Sequence, residues 1–256
     1  MEEIKNWVLL RGLARDARHW GDFVERFATQ MNVTADRLVT LDLPGFGSNT
    51  NVDSALSVTD MAEDIRSQWI SKKGNVDGAW GCVAMSLGAM CELEWSRLFP
   101  ADLRALVLIN ASASDLSKPW ERFSFRQLPR ALRISFSRDP KVRESEIYQL
   151  TSNGSEAEAK SEEWKNYAPE QRDFLNAGLR QLLAAARYKS PATIEAPLLV
   201  LTSQADGFVD YRCSEALAAK YRAPLMVHLK AGHDLCLDDP EWVIQQIKNW
   251  TNKSYK

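Results

Sequence analysis

The 256-residue chain suits one large α/β domain or two small ones, and its 45% apolar content is ordinary for a protein with a sizeable core. A net charge of −2 gives no reason to expect nucleic acid or an anionic membrane as partner. The four cysteines, Cys82, Cys91, Cys213 and Cys236, form no C-x-x-C pair, and free buried thiols in a reducing compartment are expected. The opening Met1-Glu2-Glu3 is acidic with no apolar signal region, and no run of about 18 apolar residues follows, so a cytoplasmic protein without a transmembrane helix is expected.

Short apolar runs alternate with segments of helical spacing. In chain order, strands are expected at 7–10, 37–43, 79–85, 105–110, 197–202 and 225–229, and helices at 20–28, 58–70 and 87–98 among others. Strands apolar on both faces, alternating with helices, predict an α/β fold with a parallel sheet covered on both sides. Between 115 and 190 no strand pattern occurs and helical spacing dominates. This stretch reads as a helical cap inserted in a core made of 1–114 and 191–256. Its polar, acidic middle, 151–163, reads as a mobile connection.

The pentapeptide Ala84-Met85-Ser86-Leu87-Gly88 falls between an expected strand and an expected helix. A serine there, with small residues two before and two after, is the pattern of a nucleophile elbow: a sharp turn that pushes the hydroxyl out of the sheet edge. In an open α/β sheet, ligands bind at the carboxyl ends of the strands. Asp206 and His233 both follow expected strands, in the order Ser86, Asp206, His233. A serine hydroxyl needs an adjacent base, and the base needs an acid to hold its tautomer. Two backbone N–H groups must also meet the developing oxyanion. Leu87 follows the nucleophile and supplies one. Leu13, in the loop Leu10-Arg11-Gly12-Leu13 after the first strand, supplies the other.

Other residues compete for these roles. Asp210 lies further from the strand end than Asp206. His228 sits in a strand, and His19 at a helix start reads as a surface cap. Asp234 and Asp238 read as solvated or capping residues, and Ser203 as a hydrogen-bonding neighbour.

Taken together the chain resembles the α/β-hydrolase superfamily over nearly its whole length. The likeness also rests on Leu41-Asp42-Leu43-Pro44-Gly45-Phe46-Gly47, on Gly232-His233 and on Asp239-Pro240-Glu241-Trp242. Within that superfamily it is most similar to the methyl ester esterases acting on pimeloyl-acyl-carrier protein, through Pro44-Gly45-Phe46-Gly47 and Leu175-Asn176-Ala177-Gly178-Leu179. Three departures stand out. Ala84 replaces the elbow glycine. Arg11 replaces the usual histidine before Gly12, and either organises the oxyanion loop differently or points a cation at the substrate. The short N-terminal lead leaves no room for the usual hairpin, so six parallel strands in the order 2-1-3-4-5-6 are expected.

The resemblance implies a serine esterase acting through an acyl-enzyme on Ser86, with no metal or organic cofactor. Trp120, Phe123, Phe125 and Trp164 are candidate walls of the acyl pocket, or else core residues of the cap. Arg122, Arg126, Arg130 and Arg133, spaced four, four and three apart, could dock an acyl-carrier protein or an acidic acyl chain, although Pro129 interrupts their helix. A triad lyase of the menaquinone-pathway type and a non-catalytic ligand-binding protein are the alternative readings.

Overall fold

The computed structural model describes residues 3–170 and 173–254. Six strands form one sheet: β1 (Asn6–Leu10), β2 (Leu38–Leu41), β3 (Trp80–Met85), β4 (Ala105–Ile109), β5 (Leu198–Ser203) and β6 (Leu225–His228). Their order is β2-β1-β3-β4-β5-β6 and every pairing is parallel, as expected. The inner strands β1, β3, β4 and β5 are buried along their full length, which is why they read as continuous apolar runs.

Alternation along each strand divides the core in two. Val8, Leu10, Cys82, Leu106 and Val200 face one side, where Met61, Ile65, Leu93, Trp95 and Leu217 meet them. Those partners come from α2 (Val58–Lys73), α3 (Leu87–Leu98) and α9 (Arg212–Tyr221). Trp7, Leu9, Val83, Val107 and Leu199 face the other side, covered by Phe23, Phe27, Val243 and Ile247. These belong to α1 (Phe23–Met31) and α11 (Pro240–Ser254). The four cysteines are free and buried. Among the described residues, no helix is long and apolar enough to cross a membrane.

Local chemistry adjusts several expected boundaries. The helix expected over 20–28 is a 3-10 turn, Ala17–Trp20, followed by α1, because Gly21 at φ 55° breaks the path between them. Between β4 and β5 lie α4 (Pro119–Arg122), α5 (Leu128–Phe136), α6 (Pro140–Thr151), α7 (Ala157–Trp164) and α8 (Phe174–Arg187). Pro129 sits in the first turn of α5, where a missing N–H costs nothing, so it starts that helix rather than interrupting it. The stretch 151–163 is not a mobile connection throughout. Ser161 and Trp164 are buried and anchor α7. The link before α7 is tied down where Asp238 of α10 (Leu235–Asp238) accepts from Asn153 N at 2.9 Å and from the Ser152 hydroxyl.

Candidate active site

Ser86 joins β3 to α3 at φ 55° and ψ −118°, a strained conformation for a residue with a Cβ. The turn is close-packed. A Cβ on Gly88 would lie 2.4 Å from Arg11 O, and one on Gly12 would lie 3.0 Å from Ser86 Cβ. Ala84 is fully buried within β3.

Asp206 and His233 meet at the same end of the sheet. His233 Nδ1 lies 2.6 Å from Asp206 Oδ2, while Asp206 Oδ1 accepts from Phe208 N at 2.8 Å and Val209 N at 2.9 Å. A carboxylate only accepts, so Nδ1 is the donor of this bond, and in the neutral imidazole Nε2 carries the lone pair. That Nε2 is buried and has no hydrogen-bond partner among the described residues, Ser86 included. Ser86 and His233 line one cavity of about 160 Å³. This is more than ten times the space of about 10–15 Å³ that a single water requires.

The histidine loop is fixed by residues without a local sequence signal. Asn110 follows β4 at φ 48°, donates from Nδ2 to His233 O at 2.6 Å, and accepts from Ser203 N at 3.1 Å. Asp238 accepts from Gly232 N at 2.6 Å. Asp234 is not solvated: it is buried, caps α10 through Leu237 N, and forms a bidentate ion pair with Arg11, Nη1 to Oδ1 at 3.1 Å. Arg11 also stacks over Trp20 at 4.8 Å. Burial alone would lower its pKa, but the pair with Asp234 outweighs burial and holds it above the ordinary value. Arg11 borders the cavity, yet its charge is committed to Asp234 rather than offered to a substrate. It therefore clamps the loop after β1 to the histidine loop.

The loop after β1 has a second clamp. Ala14 N donates to Gln181 Oε1 at 2.9 Å, and Gln181 Nε2 donates to Pro44 O at 3.1 Å. Gln181 is fully buried on α8, and one side chain thus ties the loops after β1 and β2 to that helix. The N–H of Leu13, one residue earlier, makes no hydrogen bond to a described residue. The N–H of Leu87 opens α3, and no earlier turn can accept from it.

The other predicted residues fall into distinct places. Phe123 and Trp164 line the cavity, and Phe123 packs edge-on against Phe208, which packs against His233. Trp120 lies outside the cavity, 57% exposed beneath Lys118, and Phe125 is exposed as well. His19 caps the 3-10 turn as expected but is buried, not superficial: Asp16 N donates to its Nδ1, and its ring packs between Trp164 and Tyr167. His228 bonds Asp239 and accepts from Ala231 N. Asp210 accepts from Arg212 N at 2.9 Å just before α9, and Ser203 bonds Ala231 O. The arginines expected along one helix face are split among three elements and mostly engaged. Arg122 donates to Ala185 O and Ala186 O, and Arg130 and Arg133 pair with Glu146.

A parallel sheet carrying a serine turn after β3 and an Asp–His pair after β5 and β6 defines a hydrolase class. The chain belongs to the alpha/beta hydrolase family, whose model matches residues 7–246. No curated protein sequence matches it. Among solved structures it is similar to a thermophilic esterase from Thermogutta terrifontis, at 20% identity over 98% of this chain and 91% of the other, with a TM-score of 0.70. It is also similar to the esterase RhEst1 from Rhodococcus sp., at 18% identity over 97% and 90% of the chains, TM-score 0.73. A serine hydrolase involved in carbazole degradation aligns at 17% identity over 98% and 92%, TM-score 0.72. At these identities the likeness establishes the shared fold.

Proposed function

We propose that the protein is a serine esterase that hydrolyses carboxylic esters. The observation that carries this reading is the pairing of His233 Nδ1 with Asp206 while Nε2 stays unpartnered in the cavity that Ser86 lines. The substrate carbonyl sits between the N–H groups of Leu13 and Leu87. Ser86 Oγ attacks the carbonyl carbon as His233 Nε2 takes its proton, and Asp206 stabilises the resulting imidazolium. The oxyanion is held by the two N–H groups, which the Arg11–Asp234 and Gln181 clamps keep in place before the charge develops. Collapse expels the alcohol with the proton from His233. Water then attacks the acyl-enzyme with the same histidine as base, and the carboxylic acid leaves. Relatedness to esterases of this fold supports the same chemistry.

The helices from α4 to α8 act in this reading as a cap whose inner faces shape the acyl pocket, with Phe123 and Trp164 among its walls. The carrier-protein partner does not enter the proposal, because Arg122, Arg130 and Arg133 are engaged within the chain. Steady-state hydrolysis of p-nitrophenyl butyrate tests the proposal. Turnover by the wild type, reduced at least 1,000-fold in Ser86→Ala and in His233→Ala with folding intact, is the expected result. Equal turnover by wild type and Ser86→Ala would reject it.

A further inference from the structure

The cavity beside Ser86 also meets a buried cation that the hydrolytic steps do not use. Arg15, in the loop after β1, lines the cavity with only 6% of its side chain exposed. Its Nη1 donates to Glu144 Oε2 at 2.6 Å. Its Nε and Nη2 are buried with no acceptor among the described residues. Those two nitrogens share one edge of the guanidinium. Their parallel N–H bonds form a fork that matches the two oxygens of a carboxylate.

The charge count points the same way. Arg143 on α6 also turns to Glu144, with Nε 3.6 Å from Oε1, and its guanidinium lies over the Phe174 ring at 4.1 Å. Its Nε has no hydrogen-bond partner among the described residues either. One buried carboxylate therefore serves two guanidiniums. Two neighbouring buried acids are paired elsewhere: Asp16 with Arg18, and Asp234 with Arg11. Burial and the charge of Arg15 push the His19 pKa down, so His19 adds no cation at neutral pH. Arg15, Arg143 and Glu144 together carry one positive charge in excess. A buried, unmatched charge with free donors is unfavourable unless a ligand supplies the counterion. Much of the remaining wall, including Ile134, Ile147, Leu150 and Leu179, is apolar and suits hydrocarbon.

We propose that Arg15, supported by Arg143, binds a second carboxylate carried on the acyl chain, so that the preferred substrates are half-esters of dicarboxylic acids. This rests on the esterase reading of Ser86. Hydrocarbon lies against the apolar wall, the ester carbonyl meets Ser86, and the free carboxylate accepts from Arg15 Nε and Nη2.

Two measurements test it. The first compares kcat/KM for p-nitrophenyl monoesters of glutarate and adipate with p-nitrophenyl butyrate and hexanoate. The wild type is expected to favour the half-esters at least 10-fold, and Arg15→Met to lower that ratio 10- to 100-fold. Arg143→Gln lowers it about 3- to 10-fold and serves if Arg15→Met does not fold. An unchanged ratio in a folded variant overturns the proposal. The second measures glutarate binding to Ser86→Ala by titration calorimetry, with butyrate and inorganic phosphate at equal ionic strength. Glutarate binding that weakens at least 10-fold with Arg15→Met added, and that phosphate does not displace, supports the site. Displacement by phosphate as effective as by glutarate, or no glutarate binding, overturns it. If the wild type hydrolyses no ester yet Ser86→Ala binds glutarate through Arg15, the esterase reading falls and the carboxylate site stands. Ester turnover without any preference for half-esters leaves the esterase standing and overturns the carboxylate site.

Discussion

Gly88→Ala probes the contact on which the serine turn depends. The added Cβ would lie 2.4 Å from Arg11 O and 2.8 Å from Leu10 O, both main-chain atoms at the end of β1. Carbon–oxygen contacts settle at about 3.3–3.6 Å. The start of α3 and the end of β1 must therefore part by about 1 Å. Neither side is a flexible side chain, so the cost falls near the top of the range of about 1–3 kcal/mol for overpacking. The moved atoms directly precede Gly12 and Leu13, and a misplacement of about 1 Å in a catalytic group costs roughly 100-fold in rate. Gly178→Ala is the control. It adds a Cβ with nothing within 4 Å, inside α8, where alanine favours the helix by about 0.5–1 kcal/mol. Urea unfolding and p-nitrophenyl butyrate turnover read both variants. Gly88→Ala is expected to lose about 2–3 kcal/mol and about 100-fold in kcat, while Gly178→Ala is as stable as the wild type or more so. Wild-type stability together with kcat within threefold in Gly88→Ala would refute the close-packed turn.

Other variants separate the supporting contacts. Asp234→Asn leaves Arg11 buried without its counterion and should lower unfolding free energy by about 3–5 kcal/mol; a loss below about 1 kcal/mol would show that the clamp carries little. Gln181→Leu strands the N–H of Ala14 and should cost about 1–3 kcal/mol, with kcat falling more than KM rises. An unaltered kcat would remove Gln181 from the positioning of the oxyanion loop. Glu92 on α3 is fully buried, accepts from Val107 N, and has its pKa raised well above the ordinary carboxyl value by burial. Its protonated form is favoured in the folded state, so its contribution to stability is complete below the unfolded pKa and declines as pH rises from there toward the folded pKa. Glu92→Gln, which keeps the acceptor, should flatten that decline when unfolding is followed from pH 4.5 to pH 8. Parallel pH profiles for variant and wild type would contradict it.

What could be read from the sequence follows from what is encoded locally. The sheet was legible because β1, β3, β4 and β5 are buried on both faces and carry uninterrupted apolar runs. Ser86, Asp206 and His233 were legible because each lies in the turn or loop that follows a strand, and strand ends are recognisable in the chain. The contacts that hold them were not. Arg11 and Asp234 are 223 positions apart, and Ala14 and Gln181 are 167 apart, so no spacing rule links them. Arg11 read as a departure from a histidine, whereas its partner explains it. His19 read as a surface cap because its burial depends on Trp164, which arrives from elsewhere in the fold. Exposed aromatics misled for the opposite reason: Trp120 has the composition of a pocket wall but sits in a short helix facing outward.

Covalent trapping tests most directly whether Ser86 is the nucleophile. Folded wild-type protein is treated with a fluorophosphonate and followed by intact-mass and peptide-mapping spectrometry, beside Ser86→Ala. One adduct per chain is expected, on the peptide containing Ser86, and none in Ser86→Ala. An unmodified wild type, or an adduct that persists at another residue when Ser86 is replaced, would contradict the assignment.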